Sequence, residues 1–281
     1  MGHQNKKSII KQAEDVLTAK LQIGESKCEA KKVGIAQDGI YSWSTYRGYL
    51  SICCRFLTDC KEQYGCKTLE EARQYANAWL QKYDNSPYTQ KTYISALCKL
   101  YGEHSDDFFQ TKDRERQNIC RSRKDVVRDK HFSEQNNREL IAFCKSTGLR
   151  RKELENIRGN QLKITNDGYY IHVKGKGGRW RDALVCGTKK EIQIVVQKMV
   201  NSGDNKVWGR VHSNADIHSF RRVYCSRVYN RFARPIETLS HSEKFFCRKD
   251  KKGVVYDRKA MRIASNNLGH NRISIIAGHY L

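Results

Sequence analysis

Apolar residues recur at helical spacing through most of the first hundred positions. Ile9, Ile10, Ala13, Val16, Leu17 and Leu21 stand mostly three and four apart, which predicts a short amphipathic helix. Tyr46, Tyr49, Leu50, Cys53, Phe56 and Leu57 repeat that spacing behind Ser42 and Ser44, either of which can cap a helix start. Thr68, with Glu71 three residues on, reads as a capping box ahead of Ala72, Tyr75, Ala76 and Trp79. Tyr93, Ile94, Leu97 and Leu100 line one side of a further segment from Thr89 to Tyr101. The expected unit is all-helical, over residues 40–102, with Arg47, Lys61, Lys91 and Lys99 on its outward faces. Its aromatics are read as core, and residues 1–39 as a basic arm that either lies on a polyanion or frays in solvent.

The period fails over 103–131, where Arg114, Arg116, Arg121, Arg123, Lys124 and Arg128 crowd a stretch poor in apolar residues. That is the expected basic linker. A second domain, 132–281, follows. Ser133 is the expected N-cap of a helix carrying Leu140, Ile141, Phe143 and Cys144, which Gly148 ends. A new helix opens at Arg150. Tyr169 to Lys174 alternates as a strand, Gly175-Lys176-Gly177-Gly178 turns, and Trp180 to Val185 returns. Thr188 and Glu191 form another capping box, before Ile192, Val195, Val196 and Met199. A helix from about Asp216 to Phe232 turns Ile217, Phe220, Tyr224 and Val228 inward. Residues 238–256 read as a basic insertion with a little strand, and the last helices run from Arg258 to Asn267 and from Arg272 to Leu281. The fold class is α+β, mainly helical: an N-terminal helical domain and a C-terminal mixed domain with a small β-sheet.

Charge narrows the function. Lys and Arg number 53 against 30 Asp and Glu in 281 residues, a net +23 spread along the whole chain. Such a surplus calls for a polyanion, and nucleic acid leads because each neutralised phosphate releases counterions. A membrane surface ranks second, with no apolar stretch long enough to span a bilayer. The first residues lack the apolar core of a secretory signal. The eleven cysteines are odd in number and include no Cys-x-x-Cys pair, and Cys53, Cys54, Cys60 and Cys66 lack a zinc knuckle. They are read as small thiols in a reducing cytosol, with no metal and no cofactor.

Four separated elements carry candidate chemistry. Thr147-Gly148-Leu149-Arg150-Arg151-Lys152-Glu153-Leu154 sets an Arg at a helix start after a Gly turn. Lys176 rides a Gly-rich hairpin tip; the turn is no P-loop, since Gly-x-x-x-x-Gly-Lys-Ser/Thr is absent. His218 and Arg221, three apart, share a helix face. Leu268-Gly269-His270 precedes a helix ending in Tyr280. Two Arg, a Lys, two His and a Tyr suit phosphoryl transfer without a metal. Forked guanidiniums bind non-bridging oxygens, and a phenol can attack phosphorus.

These residues resemble the tyrosine recombinase (phage integrase) family. Arg150 matches the first arginine of its Thr-Gly-Leu-Arg box, with Glu153 as that box's acidic residue. Lys176 looks like the hairpin lysine, His218-Ser219-Phe220-Arg221 like the His-x-x-Arg box, and His270 with Tyr280 like the last histidine and the nucleophile. The motifs cover 131–281; the helical unit resembles the family's core-binding domain more loosely. The resemblance implies a C-shaped clamp on duplex DNA, strand cleavage through a 3′-phosphotyrosine, a dimer on one site and a tetramer in synapse. Arg47, Lys91, Lys99, Arg121, Arg123, Lys124, Arg179 and Arg222 are the expected DNA contacts, and the expected location is the cytoplasm. The pattern departs in three places. Ten residues instead of nine separate His270 from Tyr280, Arg222 stands where many members carry a histidine, and only Leu281 follows Tyr280. A tail contact with a neighbouring subunit is therefore expected to be missing or replaced. Two rivals stay open: a type IB topoisomerase-like relaxing enzyme, and a catalytically silent, sequence-specific DNA-binding protein.

Overall fold

The computed structural model describes residues 7–36, 38–82, 87–113, 132–175, 178–248, 251–270 and 272–281. The chain divides into two compact units, residues 1–121 and 122–281.

The first unit is helical. It comprises α1 (Ile9–Ala19), α2 (Lys27–Lys32), α3 (Trp43–Tyr64), α4 (Leu69–Arg73), α5 (Ala76–Lys82) and α6 (Pro87–Tyr101). Of the two candidate caps, Ser42 is the one used: its hydroxyl accepts the Thr45 N–H at 3.2 Å. The Thr68–Glu71 box forms in both directions, but the helix behind it breaks after Arg73 into α4 and α5. Ile9, Ala13 and Leu17 of α1 are buried in the same core as Phe56, Leu57, Trp79 and Leu97. Full burial of one such side chain stabilises by roughly 1.5–3 kcal/mol, so α1 is bound into this unit. Phe108, beyond α6, is buried there as well, with Arg73 paired to Glu103 beside it.

The second unit is mixed. Its helices are α7 (Arg138–Thr147), α8 (Arg151–Leu154), α9 (Lys189–Ser202), α10 (Ile217–Phe232), α11 (Arg258–Asn267) and α12 (Ile273–His279). Strands β1 (Leu162–Thr165), β2 (Gly168–Lys174) and β3 (Trp180–Leu184) form an antiparallel meander. A second antiparallel pair, β4 (Lys244–Phe246) with β5 (Val255–Asp257), makes two sheets where the sequence pattern gave one. Ser133 does not cap α7. Its hydroxyl accepts the Asn136 N–H in a turn, and the helix begins at Arg138. The reason is local: Phe132 before the turn is buried in the core, but the residues from Glu134 to Glu139 are all polar or charged, and none of them holds a helical turn on the core. Thr188 caps α9 as expected, and Asp257 caps α11.

Cys28, Cys53, Cys54, Cys60, Cys66, Cys98, Cys144, Cys186 and Cys225 are free thiols. Among the described residues no helix is long and apolar enough to cross a membrane.

Candidate active site

Arg150 is delivered by the turn that ends α7. Gly148 takes φ +59°, and a Cβ there would lie 2.2 Å from the Tyr224 ring, so conformation and space both require glycine. The Arg150 N–H donates to Glu153 at 2.8 Å, opening α8, and its Nη1 donates to the same carboxylate at 2.8 Å. Nη2 reaches the Gly269 carbonyl at 3.2 Å, which ties this turn to the far end of α11.

Glu153 holds a second arginine. Arg181 of β3 grips the carboxylate with both terminal nitrogens, at 3.0 and 2.8 Å, and its Nε donates to the Asn267 carbonyl at 2.9 Å. Burial disfavours the Glu153 carboxylate, yet hydrogen bonds and charge from Arg181, with those from Arg150, outweigh it and hold the pKa at about 2. Arg181 was not foreseen. Its signal lay in the strand alternation, where it shares the inward side with Ala183 while Trp180 and Asp182 face out.

α10 supplies the next pair. Asp216 caps it through the Ser219 N–H, which fixes the first turn bearing His218 and Arg221. Arg221 is buried and donates to the Gly148 carbonyl and, at 3.2 Å, to the Leu268 carbonyl. Two carbonyls from different loops thus set the plane of its guanidinium. Burial lowers its pKa, but an arginine stays charged regardless.

α11 ends in a Schellman turn. Gly269, at φ +68°, donates to Asn266, and the His270 N–H donates to the Ser265 carbonyl at 2.8 Å. The buried Ser265 hydroxyl donates to the His270 carbonyl at 2.9 Å, so one serine fixes both sides of the histidine's backbone. α12 then carries the chain round to Tyr280, which is its C-cap rather than part of the helix. The tenth residue of spacing is absorbed there: α12 starts at Ile273, and Tyr280 leaves the helical conformation at φ −124°.

Tyr280 ends up buried, with its hydroxyl 3.2 Å from His270 Nε2. Its ring centroid is 5.3 Å from that of His270 and 5.4 Å from that of His218, and the Arg221 guanidinium carbon stands 5.8 Å from it. Burial, then the positive charge of Arg150 and Arg221, pushes the His270 pKa down to about 4. His218 is lowered by partial burial and by Arg221. The site therefore combines three guanidiniums, one carboxylate, two neutral imidazoles and a phenol. Such a cluster is electropositive and fits a ligand of concentrated negative charge, a phosphodiester above all.

No profile of a known protein family matches the chain, and no curated protein matches it either. Solved structures do. A post-cleavage complex of the XerH site-specific recombinase on palindromic difH substrate aligns with TM-score 0.52 and 14% identity, covering 97% of this chain and 90% of that one. The chain has the fold of a site-specific recombinase. A Tn1549 transposon integrase bound to transposon right-end DNA aligns at TM-score 0.48 and 12% identity, over 92% of this chain and 95% of that one.

The recombinase fold gathers Arg150, Glu153, His218, Arg221, His270 and Tyr280 from four separate segments into one site. Lys176 lies outside the described residues, as do Arg121, Arg123 and Lys124. Arg179, at the base of the β2–β3 tip, is exposed and lends its carbonyl to Gly175 at 2.7 Å. Arg222 is half-buried beside Arg221 on α10. In the helical unit Arg47 is exposed and Lys91 half-buried. Lys99 differs from its expected outward placement. Its ammonium is enclosed, and burial, with Lys20 and Lys27 nearby, lowers its pKa. It sits near the C-terminal end of α6, where the chain before α3 covers that side of the helix, something periodicity within α6 alone does not reveal.

Proposed function

We propose that the chain is a site-specific DNA recombinase that cleaves and rejoins strands through a covalent 3′-phosphotyrosine at Tyr280. The observation that carries this reading is the Tyr280 hydroxyl, within hydrogen-bond distance of a neutral His270 and beside the Arg150 and Arg221 pair. Arg150 and Arg221 bind the two non-bridging oxygens of the scissile phosphate. Each has committed two of its five N–H groups to protein oxygens and so arrives already oriented. Preorganised donors of this kind contribute roughly 3 kcal/mol each to the transition state.

Tyr280 Oη forms the bond to phosphorus as the bond to the 5′-oxygen breaks. The phenol proton passes to His270, and Lys176, assigned from the residue pattern alone, supplies a proton to the departing oxygen. The anionic phosphate offsets the guanidinium charge that keeps His270 weakly basic in the free protein, so its basicity rises when DNA arrives. His218 donates a hydrogen bond to the phosphate. The phosphotyrosine retains the energy of the broken phosphodiester, so attack by a 5′-hydroxyl rejoins a strand without a nucleoside triphosphate. XerH, of like fold, was captured on its substrate after cleavage, which accords with this reading. Duplex DNA with specific sites is the proposed partner, with two protomers on one site and four in the synapse.

A nicked suicide duplex bearing the native site tests the proposal. The wild type should form a covalent adduct, and Tyr280→Phe none. Arg150→Ala and Arg221→Ala should each abolish the adduct while DNA binding persists. Near wild-type cleavage by either variant removes that arginine from its role. Binding without an adduct by the wild type supports a silent DNA-binding protein instead, and relaxation of supercoils without joining of two sites a topoisomerase-like enzyme.

A further inference from the structure

Like Arg150 and His270, Tyr280 lies outside the regular elements that flank it. It lies just past the end of α12, a helix of 7 residues whose buried contacts come from Ile276 and Ala277. Its N–H donates to the Ile276 carbonyl at 3.0 Å, and the Leu281 N–H shares that same acceptor. A further contact comes from a distant part of the unit. Lys251 lies in the loop between β4 and β5, and its ammonium donates to the Ala277 carbonyl at 2.9 Å and to the Leu281 carbonyl. A single cation therefore binds the main chain three residues before Tyr280 and one residue after it.

The loop that presents Lys251 is itself built. The Cys247 N–H donates to Val254 at 2.9 Å, the Val254 N–H to Lys251 at 3.0 Å, and the Lys251 N–H to Arg248 at 3.3 Å. Below it β4 pairs with β5, and Asp257 at the end of β5 caps α11 while binding Arg234. Lys251 is thus referred to α11, the helix that also positions His270.

We propose that Lys251 is a positioning residue that clamps the end of α12 and sets where the Tyr280 hydroxyl stands relative to His270. The physical basis is twofold. A cation at a helix C-terminus is favoured by the unpaired carbonyls and the helix dipole. An ammonium has three donors, so it can bind the main chain on both sides of one residue and restrain that residue's backbone. With the clamp closed, Tyr280 is held in its own chain's pocket; with it open, the segment after Ala277 is free to swing out. The proposal rests on Tyr280 as nucleophile for its catalytic consequence, but not for the restraint itself.

The restraint has a direct probe that involves no DNA chemistry. With 3-fluorotyrosine incorporated at position 280 of the intact chain, Lys251→Met should shift the fluorine resonance toward that of an exposed tyrosine, and Lys251→Arg should leave it near the wild-type value. A resonance unchanged in Lys251→Met overturns the clamp. On the nicked duplex, Lys251→Met should slow single-turnover adduct formation about tenfold, or about 1.4 kcal/mol, with DNA affinity retained and Lys251→Arg restoring most of the rate. A rate within twofold of wild type overturns the positioning role. Should Lys251→Met fail to fold, Lys251→Gln is read in the same two ways. If the wild type itself forms no adduct, the nucleophile reading fails, and the fluorine resonance still decides whether Lys251 holds Tyr280.

Discussion

His270 Nε2 lies 3.2 Å from the hydroxyl of Tyr280, ten residues on in sequence and carried there by one short helix. His218 flanks the same ring, but His270 is the histidine within hydrogen-bond distance of the phenol. Under the proposed mechanism, that relationship gives the phenol proton to His270 and leaves His218 to the phosphate. His270→Ala should lower the rate of adduct formation by roughly 10²–10⁴, with DNA affinity little changed. His218→Ala should cost less. Single-turnover cleavage of both variants on the nicked duplex checks the order, and a larger loss in His218→Ala reverses the assignment.

His270 is neutral in the free protein at neutral pH, because burial and the neighbouring arginines put its pKa near 4. Its unfolded value is about 6.5, so the unfolded chain binds the proton first as pH falls. The contribution to stability is complete above about pH 6.5 and is lost as pH falls toward 4. In a histidine NMR titration its imidazole resonances should stay flat between pH 8 and about 5.5. A midpoint near 6.5 contradicts the enclosed, electropositive setting.

Glu153 behaves with the same sign at lower pH. Its pKa is depressed to about 2 by the arginines despite burial, so its stabilising effect is present above about pH 4.5 and is lost as pH falls toward 2. The difference is on the order of 3 kcal/mol. Glu153→Gln should lower the melting temperature at pH 7 by several degrees and flatten the acid limb between pH 5 and 3. Equal acid sensitivity in the variant and the wild type rules out this account.

All three guanidinium nitrogens of Arg181 are committed to Glu153 and the Asn267 carbonyl, so the proposed mechanism gives it a positioning role. Arg181→Met leaves Glu153 partly unpaired and loosens the loop that carries Gly269 and His270. The expected result is a melting temperature lowered by several degrees, a cleavage rate down about tenfold, and DNA affinity within a few-fold of wild type. Loss of DNA binding in a folded variant would make Arg181 a contact residue instead.

Gly148→Ala tests whether the first arginine depends on its turn. The left-handed backbone costs an alanine about 1 kcal/mol, and its Cβ meets the Tyr224 ring, so the loss should reach about 2–4 kcal/mol. A thermal melt within a degree of wild type would show that the turn tolerates a side chain.

Much of this molecule was legible in the chain because much of it is local. Ser42, Thr68, Thr188 and Asp216 each cap a helix through the backbone N–H three residues on, and such signals need no partner from elsewhere. The Gly turns before Arg150 and His270 are of the same kind. The two departures have different causes, one local and one distant. Ser133 has the right chemistry for a cap, but the residues from Glu134 to Glu139 are all polar or charged and hold no helical turn on the core. Lys99 faced outward by period alone and is enclosed by chain that precedes α3.

The sequence by itself determined the kinds of side chain, their order, the net charge of +23 and the ends of most helices. Those properties follow from residue identity and from interactions spanning a few positions. Tertiary structure alone decided that Arg181 pairs with Glu153, that His270 rather than His218 meets the Tyr280 hydroxyl, that α1 belongs to the helical core, and that Lys251 grips the chain around Tyr280. Most of those contacts join residues tens of positions apart with no period between them. Even the ten-residue step from His270 to Tyr280 depends on where α12 starts, and they exist only once the separate elements have packed.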